Sequence, residues 1–275
     1  MNALLERYAM GRLLYRLAKS DRRNEFVLKG AQLFRVWEAV PHRPTRDLDL
    51  LGLEEGSEDS IETLFTQLVR LPVQPVDGLQ WGKVRAMPIR DNTAYGGVRA
   101  TLPALLAGAR ISLRIDVGFG DVITPGPVEA QWGELLDFPA ARLLVYPPET
   151  VVAEKLETMV SLGRENSRMK DFYDLHWLSL YQSFDGDLLV AGVEATFRRR
   201  NTKIPAAVPV ALTEEFSGDT RKLAQWDGFR LKSEIEAAGW KELLARLASF
   251  LTPILSAEAR GRSWNPETGW TAGLS

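Results

Sequence analysis

Residues 110–119 (RISLRIDVGF) alternate without a break. Ile111, Leu113, Ile115 and Val117 fall to one side, and Arg110, Ser112, Arg114 and Asp116 to the other. A period of two belongs to an extended strand with one apolar face. The stretch commits the chain to a sheet and leaves one carboxylate, Asp116, on the polar face near the strand end. Residues 26–53 add to this constraint. An apolar run, Phe26-Val27-Leu28, closes on Lys29-Gly30, and Leu33, Phe34 and Trp37 follow at helical spacing. The turn Pro41-His42-Arg43-Pro44 then leads into Thr45-Arg46-Asp47-Leu48-Asp49-Leu50-Leu51. On a strand, Asp47 and Asp49 share one face while Leu48 and Leu50 point into a core.

Two like charges on one strand face repel, and each disfavours ionisation of the other. A divalent cation between them removes the conflict, and Mg²⁺ is commonly held by one or two carboxylates plus substrate phosphates. The rest of the composition narrows the choice. There is no cysteine, which excludes disulfides and thiolate chemistry, and His42 and His176 are the only histidines. A zinc site built on imidazole is disfavoured, so metal chemistry falls to carboxylates and to Mg²⁺ or Mn²⁺. A net charge of −2 gives no global positive field, although a local basic patch is compatible with it. No apolar run is long enough to span a bilayer. The N-terminal MNALLERYAMGRLLYRL is amphipathic and lacks a signal-peptide layout. A soluble cytoplasmic protein without membrane partners is the expected class.

At 275 residues the chain holds one large domain or two modest ones. Residues 3–19 read as a helix, 26–28 and 47–53 as strands, and 58–70 as a helix with Ile61, Leu64, Phe65, Leu68 and Val69 as its apolar stripe. Residues 72–103 read as sheet with turns at Asp77-Gly78 and Tyr95-Gly96-Gly97. Residues 121–148 are proline-rich and read as irregular. From Glu149 the pattern is helical: about 149–162, 168–181, 187–200, 213–224 and 229–256, with 261–275 as a loose tail. The expected architecture is α+β. A domain over 1–147, a mixed sheet flanked by helices, is followed by a mostly α-helical domain over 148–260. A glycine opening a helix at Gly30 also lets a backbone N–H approach a phosphate.

With these pieces in place, the chain resembles the polymerase-β-like nucleotidyltransferases. More closely, it resembles the AbiEii family of toxin nucleotidyltransferases, which includes the MenT toxins. The blocks that carry the resemblance are Leu28-Lys29-Gly30, then Arg43-Pro44-Thr45-Arg46-Asp47-Leu48-Asp49-Leu50. Glu154-Lys155-Leu156 and Lys170-Asp171-Phe172-Tyr173-Asp174-Leu175 complete the set. They extend over roughly residues 26–178. Where the family usually carries Gly-Gly-Thr, this chain reads Gly30-Ala31-Gln32.

The resemblance implies an N-terminal nucleotidyltransferase domain and an Mg²⁺-dependent transfer of a nucleoside monophosphate from an NTP. The implied acceptor is RNA, the tRNA 3′ end in some relatives, and the implied setting is a toxin–antitoxin or phage-defence system with a cognate antitoxin. Asp47 and Asp49 would hold the ion, and Asp116 would join them as a metal ligand or act as base. Lys155 would neutralise the triphosphate, and Asp171 would orient Lys155 or help position the nucleotide. Lys29, Gly30, Thr45 and Arg46 would line the phosphates.

Each residue keeps a plainer reading. Glu154-Lys155 is then a solvent-facing pair, Asp171 and Asp174 pair with Arg164, Arg168 or Lys170 on the surface, and Arg198-Arg199-Arg200 is a solvated helix end. Trp177 and the other tryptophans are core. Other functions compatible with the sequence are transfer to a small molecule or a protein hydroxyl, a carboxylate nuclease, and a catalytically silent binding module. A monomer is expected.

Overall fold

The computed structural model describes residues 2–37, 42–89, 96–133 and 135–273. Pro41 of the predicted 41–44 turn and Tyr95 of the predicted 95–97 turn lie outside the described residues. The chain divides into two compact units. The first comprises Met1–Asp121 with Pro127–Tyr146, and the second Val122–Gly126 with Pro147–Ser275.

The first unit runs α1 (Asn2–Lys19), β1 (Phe26–Lys29), a 3-10 turn (Gly30–Arg35), β2 (Asp47–Gly52) and α2 (Glu58–Arg70). It continues with β3 (Gln80–Trp81), β4 (Arg85–Ile89), β5 (Gly97–Leu106), β6 (Ala109–Phe119), β7 (Val128–Trp132) and β8 (Ala141–Val145). Among the described residues these strands form one mixed sheet ordered β3-β5-β6-β2-β1-β8-β7, with β4 also paired to β5. β2 runs parallel to β6, and β1 parallel to β8; the other pairings are antiparallel. α1 packs on β6 and β8, and α2 on β4 and β5. Ile111, Leu113, Ile115 and Val117 are all buried, as their alternation requires. α2 starts where Ser57 caps it: the Ser57 hydroxyl accepts from the Ser60 N–H at 3.2 Å, and Glu58 and Asp59 oppose the helix dipole.

α1 buries two arginines that the helical pattern alone does not explain. Arg16 Nη1 bonds the Asp77 carboxylate, Arg12 Nε lies 3.5 Å from it, and Tyr8 Oη donates to the Asp77 carbonyl at 2.7 Å. Burial pushes the Asp77 carboxyl up, and the two guanidiniums outweigh it, so it lies below its ordinary value. The residue expected only to mark a turn thus ties the first helix to the loop that leads into β3.

The second unit runs α3 (Pro148–Leu162), α4 (Met169–Tyr181), β9 (Phe184–Asp185), α5 (Gly186–Arg199), α6 (Glu214–Gly218), α7 (Thr220–Ser233), α8 (Trp240–Leu255), β10 (Arg262–Asn265) and β11 (Gly269–Ala272). Three strands pair in the order β11-β10-β9.

The structure corrects four expectations. Residues 121–148 are not irregular: they supply β7 and β8, and β8 pairs with β1 inside the sheet. The pattern was too short to read, because Ala141, Leu143 and Val145 alternate over only five residues. The helix expected over 213–224 divides at Asp219, whose side chain accepts from the Arg221 N–H at 2.8 Å and starts α7. The helix expected over 229–256 breaks where Glu234 takes a left-handed conformation (φ 51°), and α8 begins only after Gly239. Finally, the expected loose tail is a hairpin. Trp264 is buried and its Nε1 donates to the Ser179 carbonyl at 2.9 Å, while Trp270 Nε1 donates to the Phe250 carbonyl at 3.1 Å. No helix among the described residues is long and apolar enough to cross a membrane.

His176, on α4, gives the second unit a pH-sensitive point. Burial, and then the nearby Arg246 charge, lower its pKa from 6.5 to about 4. The folded protein therefore binds this proton less readily than the unfolded chain. The penalty is absent above pH 6.5 and grows as pH falls towards 4, reaching about 2 kcal/mol by pH 5. Urea titrations of wild type and His176→Gln at pH 7 and pH 5 should show the variant losing about 2 kcal/mol less between the two. Equal losses would show that His176 does not titrate in this way.

Candidate functional site

The register of the sheet assembles the site in the first unit. The parallel pairing of β2 with β6 places Asp49 opposite Asp116 and Asp47 opposite Arg114. The antiparallel neighbours extend the row: Lys29 of β1 stands opposite Asp49, and Arg99 of β5 opposite Asp116. Paired residues on adjacent strands share a face. Lys29, Asp49, Asp116 and Arg99 therefore form one line across four strands, with the two carboxylates inside and a cation at each end.

The contacts follow that line. Arg99 grips Asp116 with two parallel bonds, Nε–Oδ1 at 2.7 Å and Nη2–Oδ2 at 2.6 Å. Such bidentate pairs combine charge with fixed geometry. Lys29 Nζ bonds Asp121 Oδ2 at 2.7 Å and lies 5.1 Å from the Tyr146 ring centre. Arg114 Nη2 lies 3.5 Å from Asp47 Oδ1, and both side chains are more than half exposed. Arg46 is exposed and reaches Glu6 at 3.4 Å, and Thr45 is half-buried just before β2. Gln32 is buried, and its Nε2 donates to the Asp47 carbonyl at 3.2 Å, clipping the 3-10 turn to the start of β2. A structural bond thus occupies a position in the block that departs from the family's usual Gly-Gly-Thr.

Gly30 has φ +72°, and the Asp49 side chain lies against it. A Cβ there would sit 2.8 Å from Asp49 Cγ and 2.9 Å from Asp49 Cβ. Gly30 is thus required twice, by its backbone conformation and by the carboxylate packed on it. Gly30→Ala should cost about 1–2 kcal/mol of backbone strain. By displacing Asp49 it should also lower turnover about a hundredfold. Comparing the loss of turnover with the shift in thermal midpoint separates the two effects. Turnover within about threefold of wild type would mean that Asp49 has no need of this seat.

The acidic groups can be tested as cation ligands. Among the described residues, no group of three carboxylate or imidazole side chains converges tightly enough to hold a metal ion. Asp116 already has both oxygens on Arg99. The donors that fit are Asp47 and Asp49, at i and i+2 on β2, with phosphate oxygens of a nucleotide filling the remaining positions, as Mg²⁺ prefers.

The second unit contains its own charged cluster. Lys155 Nζ, on α3, bonds Asp171 Oδ1 at 2.6 Å and lies 2.8 Å from Asp174 Oδ2, both on α4. Arg168 Nε bonds the other Asp171 oxygen at 2.6 Å. Asp171 and Asp174 are buried, and Lys155 is nearly so. Burial pushes the Asp171 carboxyl up, but the Lys155 and Arg168 charges prevail and hold it below its ordinary value. The solvent-facing reading of Glu154-Lys155 does not hold. Lys155 is enclosed, and Glu154 lies 3.4 Å from Arg200, which also bonds the buried Glu157 at 2.9 Å. Arg200 therefore turns inward, whereas Arg198 and Arg199 are exposed. Arg164 pairs with Glu215 instead of α4.

Of the residues expected from the sequence, Lys29, Gly30, Thr45, Arg46, Asp47, Asp49 and Asp116 lie in the first unit, and Lys155 and Asp171 in the second. The sequence reading misses Arg99, Asp121 and Gln32, and it gives Asp174 only a surface role. Arg99 had a signal, since it alternates with the buried Val98, Ala100 and Leu102 of β5. Its partner is fixed only by register.

No curated protein matches the chain. Two crystal structures from Helicobacter pylori share its fold. One is of JHP933 and the other of a candidate nucleotidyltransferase; each is 14% identical, with TM-scores of 0.53 and 0.52. The matches cover 93% of this chain and 92% and 95% of theirs. At that identity the likeness is one of fold. The model of the family described as "Nucleotidyl transferase AbiEii toxin, Type IV TA system" matches residues 12–265. With nearly its whole length matched, the chain belongs to the AbiEii family of toxin nucleotidyltransferases.

Proposed function

We propose that the protein transfers a nucleoside monophosphate from an NTP to the 3′ end of an RNA, with tRNA as the acceptor, in an Mg²⁺-dependent reaction. The observation that carries this reading is the row Lys29–Asp49–Asp116–Arg99, which joins a paired carboxylate site to cations on one sheet face. Asp47 and Asp49 would hold the ion, which when bound supplies Lewis-acid polarisation and charge neutralisation at the phosphates.

The acceptor hydroxyl oxygen forms a bond to the α-phosphorus, the bond from that phosphorus to the bridging oxygen breaks, and pyrophosphate leaves. Asp116 takes the hydroxyl proton, exchanging one Arg99 N–H for it. Lys29, the Gly30 N–H, Thr45 and Arg46 line the phosphates. In the second unit, Asp171 and Asp174 hold the Lys155 ammonium in a single orientation. The biological role follows the family: a toxin, countered by an antitoxin, acting in the cytoplasm where NTPs and tRNA are available.

Purified protein, Mg²⁺, total tRNA and each of the four labelled NTPs form the direct test. Label at the tRNA 3′ end, removed by a 3′ exonuclease, is the expected result. No transfer from any NTP to RNA defeats the proposal. Label in protein or in a small molecule instead would move the acceptor to another class.

A further inference from the structure

One side of β4, β5 and β6 carries cations, Arg85 and Arg110, that the transfer chemistry does not use. Neither β4 nor β5 contains an acidic residue. Register aligns Arg85 of β4 with Thr101 of β5, Arg114 of β6 and Asp47 of β2. Arg99 lies in the adjoining row, and Arg110 lies further along β6 on the same face as Arg114. α1 and α2 pack where Ile111, Leu113, Ile115 and Val117 are buried, whereas Arg85, Arg110 and Arg114 are exposed. Arg99 and Arg114 answer Asp116 and Asp47, but among the described residues Arg85 and Arg110 have no carboxylate partner. At about 4.8 Å per strand, the line from Arg85 to Asp47 spans roughly 14 Å. An open face with this cationic excess suits a polyanion whose charges recur every few ångströms.

We propose that this face of β4–β5–β6 is the docking surface for the phosphodiester backbone of the RNA acceptor. Arg85 and Arg110 neutralise phosphates, and the strand is led along the face to Asp47 and Asp49 at its end. The inference rests on the RNA-acceptor reading above and adds the surface that receives the acceptor. It accounts for a protein with a net charge of −2 binding a polyanion, because the charge is arranged locally. Contacts of this kind go to the backbone, so they set orientation and salt dependence and not sequence preference.

The test measures binding of fluorescently labelled tRNA in the absence of NTP, across a salt series. Arg85→Glu/Arg110→Glu should weaken binding by at least about tenfold and reduce the slope of log affinity against log salt by about 2. Its thermal midpoint should match that of wild type, since both side chains lie in solvent. A control with the same charge change, Lys232→Glu/Lys241→Glu on exposed positions of the second unit, should bind as wild type does. Wild-type affinity and slope in the Arg85/Arg110 variant would overturn the surface while leaving tRNA labelling by wild type intact. An equal loss in the control would overturn it too, by making the effect one of net charge. Failure of wild type to bind or label RNA would remove both the surface and the RNA-acceptor reading.

Discussion

Asp49→Asn is expected to lower nucleotidyl transfer by about three orders of magnitude and to leave the fold in place. A divalent ion at a phosphoryl centre contributes several kcal/mol of charge stabilisation, and each 1.36 kcal/mol is a factor of ten in rate. The amide keeps the shape of the carboxylate but loses the charge that makes it a ligand. Stability should hold or rise slightly, because Asn removes one of two like charges paired across β2 and β6. Single-turnover rates with a labelled NTP give the first quantity and the thermal midpoint the second. Calorimetric titration of Mn²⁺ in the presence of NTP should show the loss independently of turnover. A rate within tenfold of wild type would remove Asp49 from the chemistry.

Lys155→Met should lower stability by about 3–5 kcal/mol. Its ammonium lies against two buried carboxylates on α4, and removing it takes away the counter-charge that Asp171 and Asp174 share. In wild type the depressed Asp171 carboxyl contributes stability that is complete above its unfolded value of 3.8 and fades as pH falls through the folded value. In the variant the sign reverses at the buried pair. A proton is taken up to relieve the repulsion, so the gap between wild type and variant should narrow on acidification. Lys155→Met/Asp174→Leu should recover much of the loss by removing the stranded charge together with its partner. Urea denaturation at pH 7 and pH 5 reads all three proteins. A variant as stable as wild type at pH 7 would mean that the cluster is solvated.

The parts of this molecule legible in the sequence are those fixed by local periodicity. β6 and α2 are recovered almost to the residue because their apolar spacing is unambiguous, and α2 is bracketed by Ser57 and Leu71. β7 and β8 escaped because each is short and lies among prolines, which mask a brief alternation. The C-terminal hairpin escaped because its order comes from two tryptophans meeting α4 and α8, a tertiary fact. The acidic pair on β2 was legible through alternation alone. Arg99 as the partner of Asp116 was not, because strand register sets that pair and a single strand carries no record of its neighbour. Asp121 as the partner of Lys29 was not either, because it lies past the end of β6 and meets Lys29 only through the tertiary fold. Lys155 and Asp171 were reached through family resemblance. Their burial, and the involvement of Asp174, needed the packing of α3 on α4.

The pairing of Asp49 with Asp116 also has a temporal meaning. Parallel strands cannot be joined by a tight turn, so β2 waits for a long crossover before β6 reaches it. Closing so large a loop is among the slower events of folding. A nascent chain that has emerged only as far as α2 holds Asp47 and Asp49 but lacks the strand that lines them up with Asp116. The row Lys29–Asp49–Asp116–Arg99 is thus complete only once β5 and β6 have been made and paired.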